Sequence, residues 1–169
     1  GSFGAGTPSH FVGVMFNRAA GTDTLHVPYK GGAPAMQALL AGEVQAAYLL
    51  TGGMTTEQAK AGKVRVLAVT GAARSRSLPD VPTFIEQGIA GLTGSTWAGL
   101  LAPARTPPAI IKRVSDEVAK IVRLDDVKTR LEGMGTLPAG STPEEFAAFI
   151  DAETAKWGKV IREAKVKLD

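Results

Sequence analysis

The sequence predicts an α/β fold, a lobe with a short, mostly parallel sheet and flanking helices, followed by a C-terminal helical segment. Three observations carry that expectation. Short β-like apolar runs alternate with amphipathic helical patterns through the first half of the chain, the signature of parallel α/β units. Two Gly-rich turns each open a helical pattern. From Thr106 onward the apolar spacing is helical.

The elements follow in order. Pro8 suits a first helical position, where its missing N–H costs nothing, and Thr7 is placed to cap the helix. Phe11, Val12, Met15, Phe16 and Ala19 then recur at helical spacing until Gly21 ends the pattern. Residues Thr24 to Tyr29 read as a strand. Pro34 opens a second helix with Met36, Leu39 and Leu40 inward and Gly42 as its C-terminal stop, and Val44 to Leu50 gives a second strand. A short helix near Thr55 to Ala61 leads to Val64–Thr70, the clearest buried strand. The Gly-, Pro- and Ser-rich stretch from Gly71 to Gly94, with one helical turn around Phe84 to Gln87, reads as a connection between units, and Trp97 to Pro103 as a further strand. Thr106 and Pro107 start a helix carrying Ile110, Ile111, Val114, Val118, Ile121 and Val122 on one face, and a shorter helix follows Asp125. The last helix has the strongest start signal, with Thr142 at the cap, Pro143 next and Glu145 completing a capping box. Its apolar stripe is Phe146, Phe149, Ile150, Trp157, Val160 and Ile161.

Composition bounds what this fold can do. The 169 residues are 44% hydrophobic and 21% charged, an ordinary globular balance. Nineteen Lys and Arg are scattered among sixteen acids for a net charge of +3, so no basic stripe exists for nucleic acid. Without cysteine there is no disulfide, no thiolate nucleophile and no zinc knuckle, and the compartment stays open. No apolar run approaches the roughly 20 residues that span a bilayer. The chain starts at Gly1 rather than Met, and the turn at its start lacks a strand leading into it, so it is expected to begin in mid-fold.

The residues that could carry chemistry cluster at the two turns. In the first, Gly4 and Gly6 allow a tight bend and close backbone approach, with Ala5 and Thr7 completing it. In the second, Tyr29, Lys30, Gly31, Gly32, Ala33 and Pro34 bring free amides and one cation to the end of a strand. Turns of this kind at the carboxyl ends of neighbouring strands suit one anion, although such connections also serve the turn alone. His10, in the first turn of the first helix, either donates to a ligand carboxylate in its neutral form or bonds to its own turn. His26 reads as structural, Lys30 as a source of charge, and Trp97 and Tyr48 as core residues or as stacking surfaces for a ligand.

Enzyme signatures are missing. GSFGAG lacks the spacing of a dinucleotide fingerprint, no phosphate-binding Gly-Lys-Ser/Thr loop occurs, and neither G-x-S-x-G nor H-E-x-x-H is present. Two histidines without cysteine give no transition-metal set. No catalytic residue, metal or cofactor is expected.

Taken together, GSFGAGTPSH, HVPYKGGAPAMQALLAGEV, AGKVRVLAVT, RSRSLPDVPTFIEQG, WAGLLAP and TPEEFAAFIDAETAKWGKVI resemble the TctC or Bug family of extracytoplasmic solute receptors, the binding components of tripartite tricarboxylate transporters. The similarity runs over essentially the whole chain. It implies the plan of type II periplasmic binding proteins: two α/β lobes joined by crossing strands, a carboxylate in the cleft, a periplasmic location and transporter subunits as partners. Residues 1–95 would form the second ligand-binding lobe, N-terminally truncated, and residues 96–169 a crossover strand and C-terminal helices that pack on the first lobe. The first lobe being missing, copies of the chain are expected to associate through the surface it would cover. The resemblance further implies that Gly4, Ala5, Gly6 and Thr7, with His10 nearby, and Tyr29 to Pro34 hold a ligand carboxylate. Where family members often carry a polar Asp or Asn, this chain has Leu49 and Leu50. An ammonium group would lose its counter-charge there, so a di- or tricarboxylate or an aromatic acid is expected rather than an amino acid. The alternatives are an enzyme or regulatory domain that binds a phosphorylated metabolite, and a domain whose turns bind nothing.

Overall fold

The computed structural model describes residues 1–164; the last five residues of the 96–169 segment lie outside the described residues. Six helices follow one another: α1 (Pro8–Ala20), α2 (Gly32–Leu40), α3 (Met54–Lys60), α4 (Pro108–Ile121), α5 (Asp125–Gly133) and α6 (Pro143–Ala164). The chain divides into two compact units, Gly1–Thr96 and Trp97–Lys159, with the residues from Val160 grouped with the first.

In the first unit, α1 and α2 end as their glycines dictate. Gly21 adopts a left-handed conformation and returns its N–H to Asn17, and Gly42, just past the C-cap Ala41, bonds to the Leu39 carbonyl. The core gathers Phe11 and Val12 of α1, Ala35, Met36 and Ala38 of α2, and Val44, Val69, Leu78 and Leu92. Tyr48 packs its ring under Gly13, where an added Cβ would lie 3.0 Å from the ring, and tilts against Phe16 at 6.2 Å. Burial pushes its phenol up to about 12.

The parallel sheet expected over 24–29, 44–50 and 64–70 is not formed as a ladder among the described residues. Two isolated parallel bridges stand in its place, Ser2 with Pro28 and Val69 with Thr83. The first has a simple geometric cause. Gly1 and Ser2 lie between the two runs: Ser2 N–H donates to Val27, Tyr29 N–H to the Ser2 carbonyl, Tyr48 N–H to the Gly1 carbonyl, and the Gly1 amine to the Ala46 carbonyl at 2.6 Å. In the second, Val69 N–H donates to the Pro82 carbonyl and the Val69 carbonyl accepts the Phe84 N–H, so part of the expected connection pairs with the run before it. Thr83 and Glu86 close a reciprocal capping box there, and Arg74 clamps both carboxylate oxygens of Glu86.

The second unit is helical. Residues 97–103 form no strand and all are exposed. Trp97 meets Phe146 and Phe149 edge-on, each at 5.6 Å, and Gly99 fits against the Phe146 ring where any Cβ would collide. Thr142 caps α6 as its sequence dictates: its N–H donates to Glu145 Oε2 at 2.9 Å and its hydroxyl accepts the Glu145 N–H at 3.2 Å. None of residues 97–159 is fully buried, and Ile110, Val114 and Ile121 of α4 stand about half exposed.

Candidate functional site

The first turn is held from within. Ser2 is fully buried, and its hydroxyl accepts the Gly4 N–H at 3.2 Å while facing His26 Nε2 at 2.6 Å. Ser9, nearly as buried, accepts the Phe3 N–H and donates to the Tyr48 carbonyl at 2.8 Å, tying the start of α1 to the run after α2. His10 Nδ1 accepts the Gly6 N–H at 3.2 Å. Thr7 occupies the N-cap position with extended backbone, but its hydroxyl does not cap α1. It donates to the Gly4 carbonyl at 2.7 Å instead, because the left-handed Gly6 (φ 70°) folds that carbonyl back within reach.

This network consumes most of the donors expected to be free in the turn. The amides of Phe3, Gly4 and Gly6 go to side chains, and Thr7 N–H to the Gly4 carbonyl. Among the described residues, the amides of Ala5, Ser9 and His10 keep no partner, the last two being first-turn amides with no helical carbonyl behind them.

The second turn is different. Tyr29 N–H is spent on the Ser2 carbonyl, but the amides of Lys30, Gly31, Gly32 and Ala33 have no partner among the described residues. Gly31 sits at φ 116°, ψ 174°, a conformation essentially reserved for glycine, and α2 begins one residue later, two earlier than Pro34 suggested. Neither α1 nor α2 carries an acidic residue in its first turn, whereas α3, α5 and α6 do. The positive end of α2 is therefore left uncompensated beside its free amides. Lys30 is exposed and makes no ion pair among the described residues.

The two turns are adjacent: a Cβ on Gly4 would lie 3.7 Å from the Tyr29 carbonyl oxygen. His10 and His26 stack face to face, centroids 3.9 Å apart and planes within 5°. Burial lowers the pKa of His10; burial first, then the charges of His10 and the Gly1 ammonium, lower that of His26. Sequence reasoning missed Ser2 and Ser9. The signal for Ser2 was its place two residues before a turn glycine, where a serine side chain commonly accepts the i+2 amide. Leu50, at the position where a polar residue was expected from the resemblance, is more than half exposed. No cluster of three metal-ligating side chains forms among the described residues.

Residues 1–166 match the tripartite tricarboxylate transporter family receptor, TctC. A protein encoded in the tcbD–tcbE intergenic region of Pseudomonas sp. strain P51 is 35% identical over 98% of the chain and 49% of its own length. The chain thus spans about half the length of this curated relative. Among solved structures, Rpa4515 of R. palustris with adipate superposes with a TM-score of 0.85 at 31% identity, over 95% of this chain and 54% of that one. MatC of Rhodopseudomonas palustris with bound malate gives a TM-score of 0.72 at 29% identity, over 90% and 53%.

Proposed function

Since the chain belongs to the tripartite tricarboxylate transporter family of receptors, we propose that it forms a ligand-binding lobe of a periplasmic solute receptor and holds one carboxylate of a di- or tricarboxylate. The amides of Lys30 to Ala33 are the principal donors, with the amides of Ala5, Ser9 and His10 on the facing turn. The unspent amides of the second turn, at a helix end with no acidic neighbour, are the observation that carries this reading. Amide donors and a helix dipole suit an anion without a formal counter-charge, and Lys30 adds attraction at longer range.

The family's bound neighbours fit that chemistry, since adipate and malate are both dicarboxylates. The apolar Leu49 and Leu50 leave no partner for an ammonium group, which favours plain acids over amino acids. On this reading residues 1–95 are the lobe and the rest of the chain is a crossover and helices for a further lobe. Delivery to membrane transporter subunits requires that the solute be met before the membrane is crossed, hence a periplasmic location.

A thermal-shift panel tests the proposal. Di- and tricarboxylates at millimolar concentration should raise the melting temperature while neutral sugars do not, the shift growing with the logarithm of concentration. Half a cleft binds weakly, so the expected stabilisation is small, about 1 kcal/mol at a few times Kd. Stabilisation by a sugar phosphate and by no carboxylate would overturn it in favour of a phosphorylated metabolite.

A further inference from the structure

The histidine pair beside the first turn has a role that the carboxylate reading does not assign. His10 accepts a backbone N–H at Nδ1, which can only donate, so a neutral His10 must carry its proton on Nε2. The stacked His26, 3.9 Å away and parallel, makes a second positive charge on the pair costly. His26 in turn is anchored through Nε2 to the fully buried Ser2 hydroxyl, which accepts the Gly4 N–H. The chain from His26 to Ser2 to Gly4, and from His10 to Gly6, thus grips both glycines of the turn, the Ser2–His26 link spanning 24 positions.

We propose that Ser2, His10 and His26 act as one positioning unit that fixes the first turn, His10 serving as a neutral Nε2–H imidazole that accepts the Gly6 amide, rather than as the ligand's charge partner. The proposal rests on the carboxylate reading for its consequence but not for its geometry. The charged and titratable groups facing the pair are the two rings themselves, on α1 and on the run before Pro28, and the Gly1 ammonium. Lowered pKa values of both rings accord with this, burial being the leading cause. A proton forced onto His10 Nδ1 removes the acceptor for Gly6, so ring protonation and turn opening are one event.

Nitrogen-detected NMR of the histidine rings in the unliganded chain is the test. The expected result is His10 as the Nε2–H tautomer at about pH 8, the two rings titrating in separate steps, and the Gly6 amide moving with the His10 midpoint. An Nδ1–H tautomer for His10, or both rings titrating together near about 6.5, contradicts the proposal. Variants add the functional readout: His10→Asn, whose side-chain oxygen can replace Nδ1, should keep malate affinity within about threefold, whereas His10→Ala and Ser2→Ala lose about tenfold. Equal losses in His10→Asn and His10→Ala sink the positioning role. If the ring signatures are as expected and neither malate nor adipate binds the parent chain, the positioning unit stands and the carboxylate reading fails.

Discussion

Ser2 and Ser9 hold the first turn more firmly than its glycines do. Each buries a hydroxyl that both accepts a turn amide and reaches a distant partner, so removing either strands buried polar groups. Ser2→Ala is expected to cost about 1–3 kcal/mol, read as a lower denaturant midpoint with unchanged slope. Gly31→Ala meets open space but a forbidden backbone, and should cost about 1–3 kcal/mol while weakening carboxylate binding. The histidines make stability pH-dependent with a definite sign. Their folded pKa values lie below the unfolded one, so the unfolded chain binds more protons in between; stability is whole above about 6.5 and lost as pH falls through the folded values. Melting temperature should drop on acidification in that window, and a flat profile contradicts the half-buried, stacked pair. The turns were legible from their Gly and Pro residues, but their wiring was not, because it joins residues 24 and 39 positions apart.

At the scale of elements, every helix was legible and the strands were not. The six helices announce themselves locally, through Pro at the start of α1, the capping box of α6 and a left-handed glycine after α1. Thr142→Ala should therefore cost about 1 kcal/mol and speed amide exchange in the first turn of α6, leaving the core of the first unit unchanged. A strand needs a neighbour that its own residues cannot specify. The runs at 24–29 and 44–50 have the composition of strands, yet among the described residues Gly1 and Ser2 bond to both and a single bridge forms. Residues 97–103 likewise form no strand, and Trp97 meets rings of α6 instead.

The whole molecule is uneven. Its buried core belongs to the first unit, while α4, α5 and α6 carry apolar stripes with no fully buried side chain between Trp97 and Lys159. Such stripes are stable when covered. At high concentration the chain should associate through them, giving a light-scattering mass above that of one 17.5 kDa chain; a strictly monomeric particle counts against that. On the proposed reading a further lobe covers these stripes, and a chain that includes such a lobe should bind carboxylate more tightly than this one. The most direct test of the central claim is a backbone amide titration of this chain with malate and adipate. The account predicts saturable shifts largest at Gly31, Gly32 and Ala33, with smaller ones at Ala5 and His10. Unmoved amides at 31–33 under saturating dicarboxylate, or movement there with a sugar phosphate alone, would contradict it.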